Sequence, residues 1–231
     1  MQILKQLYRS SYSGENVVTQ LTYENGEWTP ETEAVQNSVF NTPTSSQAVA
    51  IASGATRSNF ELNFIATHKG GLFGADRLQS YGCNGLYKEF APDFLIAVGD
   101  DHIEELALSD YPNDNIVYAH AQSVLQYPGK FYLIPQNIAY DAGAIAAYMA
   151  CFDGHKKVFL LGYDSYVDDH ESHPNQTFFI KTLASVIKTY SDVDFVRVMP
   201  TATYSCDTTL SSLINFRQIT YRDFVLEADI G

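Results

Sequence analysis

Apolar residues along this chain recur in two rhythms, and the rhythms alternate. Short, nearly continuous apolar runs at 48–51, 93–98, 115–118, 131–134, 157–161 and 194–198 predict strands buried on both faces. A further strand is expected at 78–81, leading into Gly82-Cys83-Asn84-Gly85, and another within 216–226. Between these runs the spacing widens to the helical period. Ile145, Tyr148, Met149 and Phe152 fall at i, i+3, i+4 and i+7 of a helix predicted over 141–152, which stops at Asp153-Gly154-His155. Ile180, Leu183, Ala184 and Ile187 form the inward stripe of a helix over 177–190, and 102–108 suits a short one with acidic residues at its start. Strand and helix exchange in this way from about residue 46 onward, which predicts a Rossmann-like α/β domain at 46–231 with a mostly parallel, doubly wound sheet.

Residues 1–45 follow a different pattern. Positions 17–23 alternate and are β-rich, and Asn25-Gly26 then precedes a second such run, the strongest short-range signal for a hairpin. The remainder to Ser46 is rich in Thr, Ser and Asn. This region is expected to be a β-hairpin extension packed on the main domain or on a second copy, a route to a homo-oligomer. Residues 59–79 fit neither period, and Lys69-Gly70-Gly71-Leu72-Phe73-Gly74 lacks the Gly-Lys-Ser/Thr ending of a phosphate-binding Walker loop. It is expected to be a surface loop or lid.

Charge and cysteine usage narrow the partners. With 14 Lys and Arg against 27 Asp and Glu, the formal charge of −13 sets up a field that repels polyanions and argues against nucleic acid. Cys83, Cys151 and Cys206 are odd in number and show no paired spacing, as in reduced, cytoplasmic proteins without a structural zinc site. The N-terminus carries no signal-like apolar segment, and no apolar run nears the roughly 18 residues that span a bilayer, so no membrane association is expected.

In doubly wound sheets ligands bind beyond the carboxyl ends of the strands, where strand order reverses. That rule selects Ser53, Gly54, Ala55, Thr56 and Arg57 after the first strand, Asn84, Asp100-Asp101, the helix start at Asp141-Ala142-Gly143, and Gly162 to Asp164. The run Ala52-Ser53-Gly54-Ala55-Thr56-Arg57 has the small residues that let backbone N–H groups face a phosphate, with Gly54 free to take positive φ and Arg57 as a cation. Asp100 and Asp101 could hold Mg²⁺ with Asp164 or Asp168-Asp169 across the crevice, or they could cap the helix beginning at His102, the reading preferred for Asp101. Residues 168–173 (Asp-Asp-His-Glu-Ser-His) lack a helical His pair and read as a solvated acidic loop, although His173 has the chemistry of a general base. Cys83 reads as a buried strand-end thiol. No metal ligands are assigned.

Three pieces of this chain resemble, in the same order, the bacterial sialyltransferases that use CMP-sialic acid and a related group that includes archaeal dihydropterin pyrophosphokinases. They are the strand ending in Ala52 to Thr56, the strand ending in Gly82-Cys83-Asn84 with Leu86-Tyr87 beyond, and a helix from Ala142-Gly143 followed by a strand closing on Gly162-Tyr163-Asp164 with Tyr166 beyond. The resemblance spans about residues 47–190. It implies a nucleotide site at Gly54, Thr56, Asn84, Ala142 and Gly143. Ala52 and Ser53 depart from that family's Gly-Asn loop, and its catalytic histidine has no counterpart here. The expectation is a protein that binds a nucleotide or nucleotide-sugar, a glycosyltransferase-like enzyme with Asp100, Asp164 and His173 as candidate catalytic groups. Two other readings stand beside it: a Mg²⁺-dependent pyrophosphokinase-like transferase, and a scaffold that kept the fold without the chemistry.

Overall fold

The computed structural model describes residues 2–9, 15–36, 46–68, 77–164 and 176–231. The chain begins with three strands, β1 (Gln2–Arg9), β2 (Glu15–Glu24) and β3 (Glu27–Gln36), joined in antiparallel order. Asn25 and Gly26 turn β2 into β3 with φ of 53° and 89°, the pair of positive values that a type I′ turn requires and that Asn-Gly tolerates. β1 was not evident from its residues, whose apolar positions do not alternate strictly; its pairing with β2 makes it a strand.

From residue 46 the chain lays down β4 (Gln47–Ile51), α1 (Asn63–His68), β5 (Gln79–Cys83), β6 (Phe94–Ile96), α2 (Asp100–Leu108), α3 (Tyr111–Asp114), β7 (Ile116–Ala119), α4 (Ala121–Gln126) and β8 (Tyr132–Leu133). The second half adds α5 (Ala142–Phe152), β9 (Lys157–Leu161), α6 (Gln176–Thr189), β10 (Asp194–Met199), α7 (Thr208–Ser211), β11 (Phe216–Thr220) and α8 (Tyr221–Glu227). The strands order as β11-β10-β9-β4-β5-β6-β7-β8 and all pairs among them are parallel. Strand order therefore runs outward one way from β4 to β8, then restarts at β9 on the other side of β4. The sequence pattern predicted this doubly wound α/β arrangement. The N-terminal hairpin extends the sheet beyond β8 through one residue pair, Lys5 with Tyr132.

Apolar side chains fill both faces of the sheet. β4, β6 and β9 are buried nearly throughout, as continuous apolar runs require. α5 is buried on every side, because it lies between the sheet and α6; its alanines let it approach β4 and β5 closely. Ile145 and Met149, fully enclosed, each contribute roughly 1.5–3 kcal/mol of burial. Polar residues inside β5 have partners: Ser80 donates from N–H and hydroxyl to Asp93 at 2.9 and 2.8 Å, and the Tyr81 hydroxyl donates to Asp153 at 2.6 Å.

Two segments differ most from their sequence pattern: α1 (Asn63–His68) stands in the stretch expected to be a surface loop or lid, of which Lys69 to Gly74 lie outside the described residues, and the end of the chain is the second. Residues 216–226 divide into β11 and α8 at Thr220, whose side chain and that of Asp223 form a capping box that starts the helix.

Candidate functional site

A cavity of about 280 Å³ opens at the point where strand order reverses. Ala52, Ser53 and Gly54 line it from the end of β4, Cys83 and Asn84 from β5, Val98 and Gly99 from beyond β6, and Gly162 from beyond β9. Asp141, Ala142 and Gly143 at the start of α5 form another wall, and Phe179 of α6 the last. Of the residues expected from the sequence, Ser53, Gly54, Asn84, Asp141, Ala142, Gly143 and Gly162 thus meet around one space. Ala55, Thr56, Arg57, Asp100 and Asp164 are not among its lining residues. His173 lies outside the described residues, together with His170, Asp168 and Asp169.

The loop after β4 is shaped by close contact rather than by backbone strain. Gly54 has φ −63°, an ordinary extended value, not the positive φ expected for it. It must be glycine for another reason, since a Cβ there would overlap the Asp164 carboxylate and the Gly162 carbonyl. The Gly54 N–H donates to Gly162 O at 2.9 Å, stitching the ends of β4 and β9 together. Gly162 itself has φ +77°, and a Cβ on it would stand 2.6 Å from Ala52 O, so it is constrained twice. Thr56 donates to Asp164 Oδ1 from its hydroxyl at 2.6 Å and from its N–H at 3.3 Å, and the Tyr221 hydroxyl of α8 donates to Thr56 O. The Arg57 N–H donates to Gly54 O at 3.1 Å. The amides of Gly54, Thr56 and Arg57 are thus taken up within the chain.

The side chains near the cavity have definite partners as well. Arg57 turns toward Glu89, donating at 2.7 Å, and donates to Ala52 O at 3.3 Å. Asn84 has φ +49° and its Oδ1 accepts the Val98 N–H at 3.2 Å, tying the end of β5 to the segment after β6. Burial pushes the Cys83 thiol up to about 12, with the charge of Asp141 adding to the rise, so it stays protonated and is no nucleophile. Asp141 caps α5: Oδ1 accepts the Ala144 N–H at 3.1 Å and Oδ2 accepts the Thr182 hydroxyl at 2.5 Å. Asp100 and Asp101 are exposed in the first turn of α2, where they favour its dipole. The cap position there is Gly99, not Asp101 as expected. Among the described residues, no group of three or more His, Cys, Asp and Glu is placed to hold a metal ion.

No protein-family model and no curated protein matches the chain. Among solved structures it is similar to the sialyltransferase CstII from Campylobacter jejuni in complex with the substrate analogue CMP-3FNeuAc. The identity is 14% and the TM-score 0.45, over 74% of this chain and 84% of that one.

Phe179, Val98 and Gly99 were missed from the sequence. Val98 was read as the last residue of the strand at 93–98, and Gly99 was passed over for Asp100-Asp101 beside it. Phe179 sits one turn into a helix whose stripe was assigned from Ile180 onward, so its place at a crevice wall left no periodic signal. Among the described residues, no helix is long and apolar enough to cross a membrane.

Proposed function

We propose that this crevice binds a nucleotide or nucleotide-sugar and that the chain is a glycosyltransferase-like enzyme acting on it. The observation that carries the reading is the cavity at the reversal of strand order between β4 and β9, walled by four strand ends and a helix start. At about 280 Å³ it suits a single ring-sized unit, either a nucleoside or one sugar, with the rest of the ligand reaching outward along the crevice. Asn84, Ser53 and the α5 start supply hydrogen-bonding groups, and Phe179 supplies an aromatic wall for a ring to pack on.

The engagement of Arg57 and of Asp164 within the chain favours a second reading, a non-catalytic scaffold or assembly protein that kept the fold. A thermal-shift panel of nucleotides and nucleotide-sugars, with and without Mg²⁺, separates the two. A ligand at a hundredfold its dissociation constant adds about 2.7 kcal/mol, which raises the melting temperature of a chain this size by roughly 5–10 °C. Ser53 is exposed and lines the cavity, so Ser53→Phe adds bulk there without entering the core and is expected to abolish the shift. Gly54→Val is unsuitable for that purpose, because its clash with Asp164 and Gly162 would distort the loop itself. No shift with any compound leaves the scaffold in front.

A further inference from the structure

Arg197 is a buried cation with no part in the lining of the cavity. It stands on β10 between Leu160 of β9 and Gln218 of β11, two positions short of the level of Gly162. Val196 and Val198 on either side of it pack with Phe224 of α8. Arg197 therefore points to the opposite face, where Phe195 packs with α5 and α6. It is 1% exposed. Nη1 donates to Ser205 O at 2.9 Å and to Gln218 Oε1 at 3.1 Å. Nε and Nη2 are buried too, and among the described residues they have no hydrogen-bond partner. These two nitrogens form one edge of the guanidinium with their N–H bonds side by side, the fork that grips an oxyanion through two oxygens. The groups around it are a carbonyl, an amide and the Cys206 thiol. Burial raises that thiol above its ordinary value, against the pull of Arg197, so it brings no negative charge. Asp164 is the smallest influence on the guanidinium, and its Oδ1 is held by Thr56. Buried charges in folded proteins are as a rule paired, and an arginine cannot shed its proton instead.

We infer that the Nε–Nη2 edge of Arg197 is the binding point for a phosphate oxyanion, beside the cavity and separate from its lining. Ser205 and Cys206 belong to a loop whose residues 201–205 are exposed, so this edge lies one layer below the surface. The oxyanion reaches it by displacing the Cys206 side chain, and two N–H donors left over by the protein then bond to it. The phosphate is either free or carried by a nucleotide seated in the crevice; the chemistry at Arg197 is the same.

Calorimetric titration of the full chain tests this with inorganic phosphate, pyrophosphate and matched pairs: cytidine and CMP, uridine and UDP, guanosine and GDP, adenosine and ADP. The wild type is expected to bind phosphate or pyrophosphate. Arg197→Lys keeps the charge and loses the fork, and is expected to weaken that binding about tenfold or more. Cys206→Asp leaves Arg197 in place and sets a carboxylate beside the fork. It is expected to abolish phosphate binding and raise the melting temperature, and it decides the matter if the lysine variant fails to fold. A nucleotide bound about tenfold tighter than its nucleoside, with the difference lost in Arg197→Lys, supports the inference and makes the phosphate the nucleotide's own. Phosphate binding that both variants lose, with no nucleotide bound, supports a free phosphate and counts against the nucleotide reading. A nucleoside bound as tightly as its nucleotide, with no binding of free phosphate, overturns the inference and leaves the nucleotide reading intact. Phosphate binding that neither variant changes overturns it as well, and so does the absence of binding by every anion.

Discussion

Thr56 is nearly enclosed, 5% exposed, and its hydroxyl lies 2.6 Å from the carboxylate of Asp164, a residue more than a hundred positions later. That bond, the Gly54 amide on Gly162 O and the Tyr221 hydroxyl on Thr56 O hold the ends of β4, β9 and β11 at fixed spacing. Thr56→Val keeps the shape of the side chain and removes its donor, leaving the carboxylate one partner short. The expected cost is about 1–3 kcal/mol. A double-mutant cycle with Asp164→Ala reads the bond directly, and additive effects would mean that it contributes nothing. At this scale the sequence was legible as a set of positions but not as a set of roles. Gly54, Thr56 and Asp164 were all singled out as strand-end residues that would face a ligand, yet two of them face each other. Which partner a hydroxyl or carboxylate chooses depends on where a distant segment arrives, and local composition carries no record of that. Asp141 differs: the strand-end rule set it at the crevice with the start of α5, and there it both caps the helix and lines the cavity.

Elements on the β11 side of the sheet are joined by a charge network. Glu227 of α8 accepts from Lys157 of β9 at 2.8 Å and pairs with Arg217 of β11, which also reaches Asp194 of β10 at 3.0 Å. Arg217, and after it Lys157, hold the Glu227 carboxyl below its usual range, against the opposing effect of partial burial. A lowered carboxylate stabilises the fold above its unfolded value, near pH 4.3, and loses that contribution as pH falls through the lowered folded value. Glu227→Gln is therefore expected to cost on the order of 1 kcal/mol at pH 7, the difference from wild type closing below about pH 4. Thermal melts of both proteins from pH 7 to pH 3 check this, and a gap that stays constant with pH would contradict it. Elements were otherwise the most legible scale, because a buried parallel strand writes itself as an apolar run and α5 and α6 carry full helical periods. The misses were short. α3, α4 and α7 span four to six residues each, too few turns for a period to register. In 216–226 the mixed period of a strand followed by a helix reads as neither, and only Thr220 and Asp223 mark the change.

The eight parallel strands and the helices that cover them all lie within 46–231, and the N-terminal hairpin meets them through β1 alongside β8. We expect residues 46–231 to fold independently, with a cooperative melt within about 5 °C of the full chain. Circular dichroism and a thermal melt of that fragment check it; a fragment without cooperative unfolding would show that the hairpin belongs to the same folding unit. The reversal of strand order also has a consequence in time. β4 hydrogen-bonds β5 on one edge and β9 on the other, and β9 follows it by roughly a hundred residues. On a ribosome adding about 5–20 residues per second, the Ala48–Ile51 edge of the nascent chain waits for several seconds with its backbone groups open and its side chains wholly apolar. Among the parallel strands of 46–231, the strand around which the finished crevice is built is therefore the one that the growing polypeptide leaves unprotected longest, and a chaperone that shields emerging strands would act on this protein there.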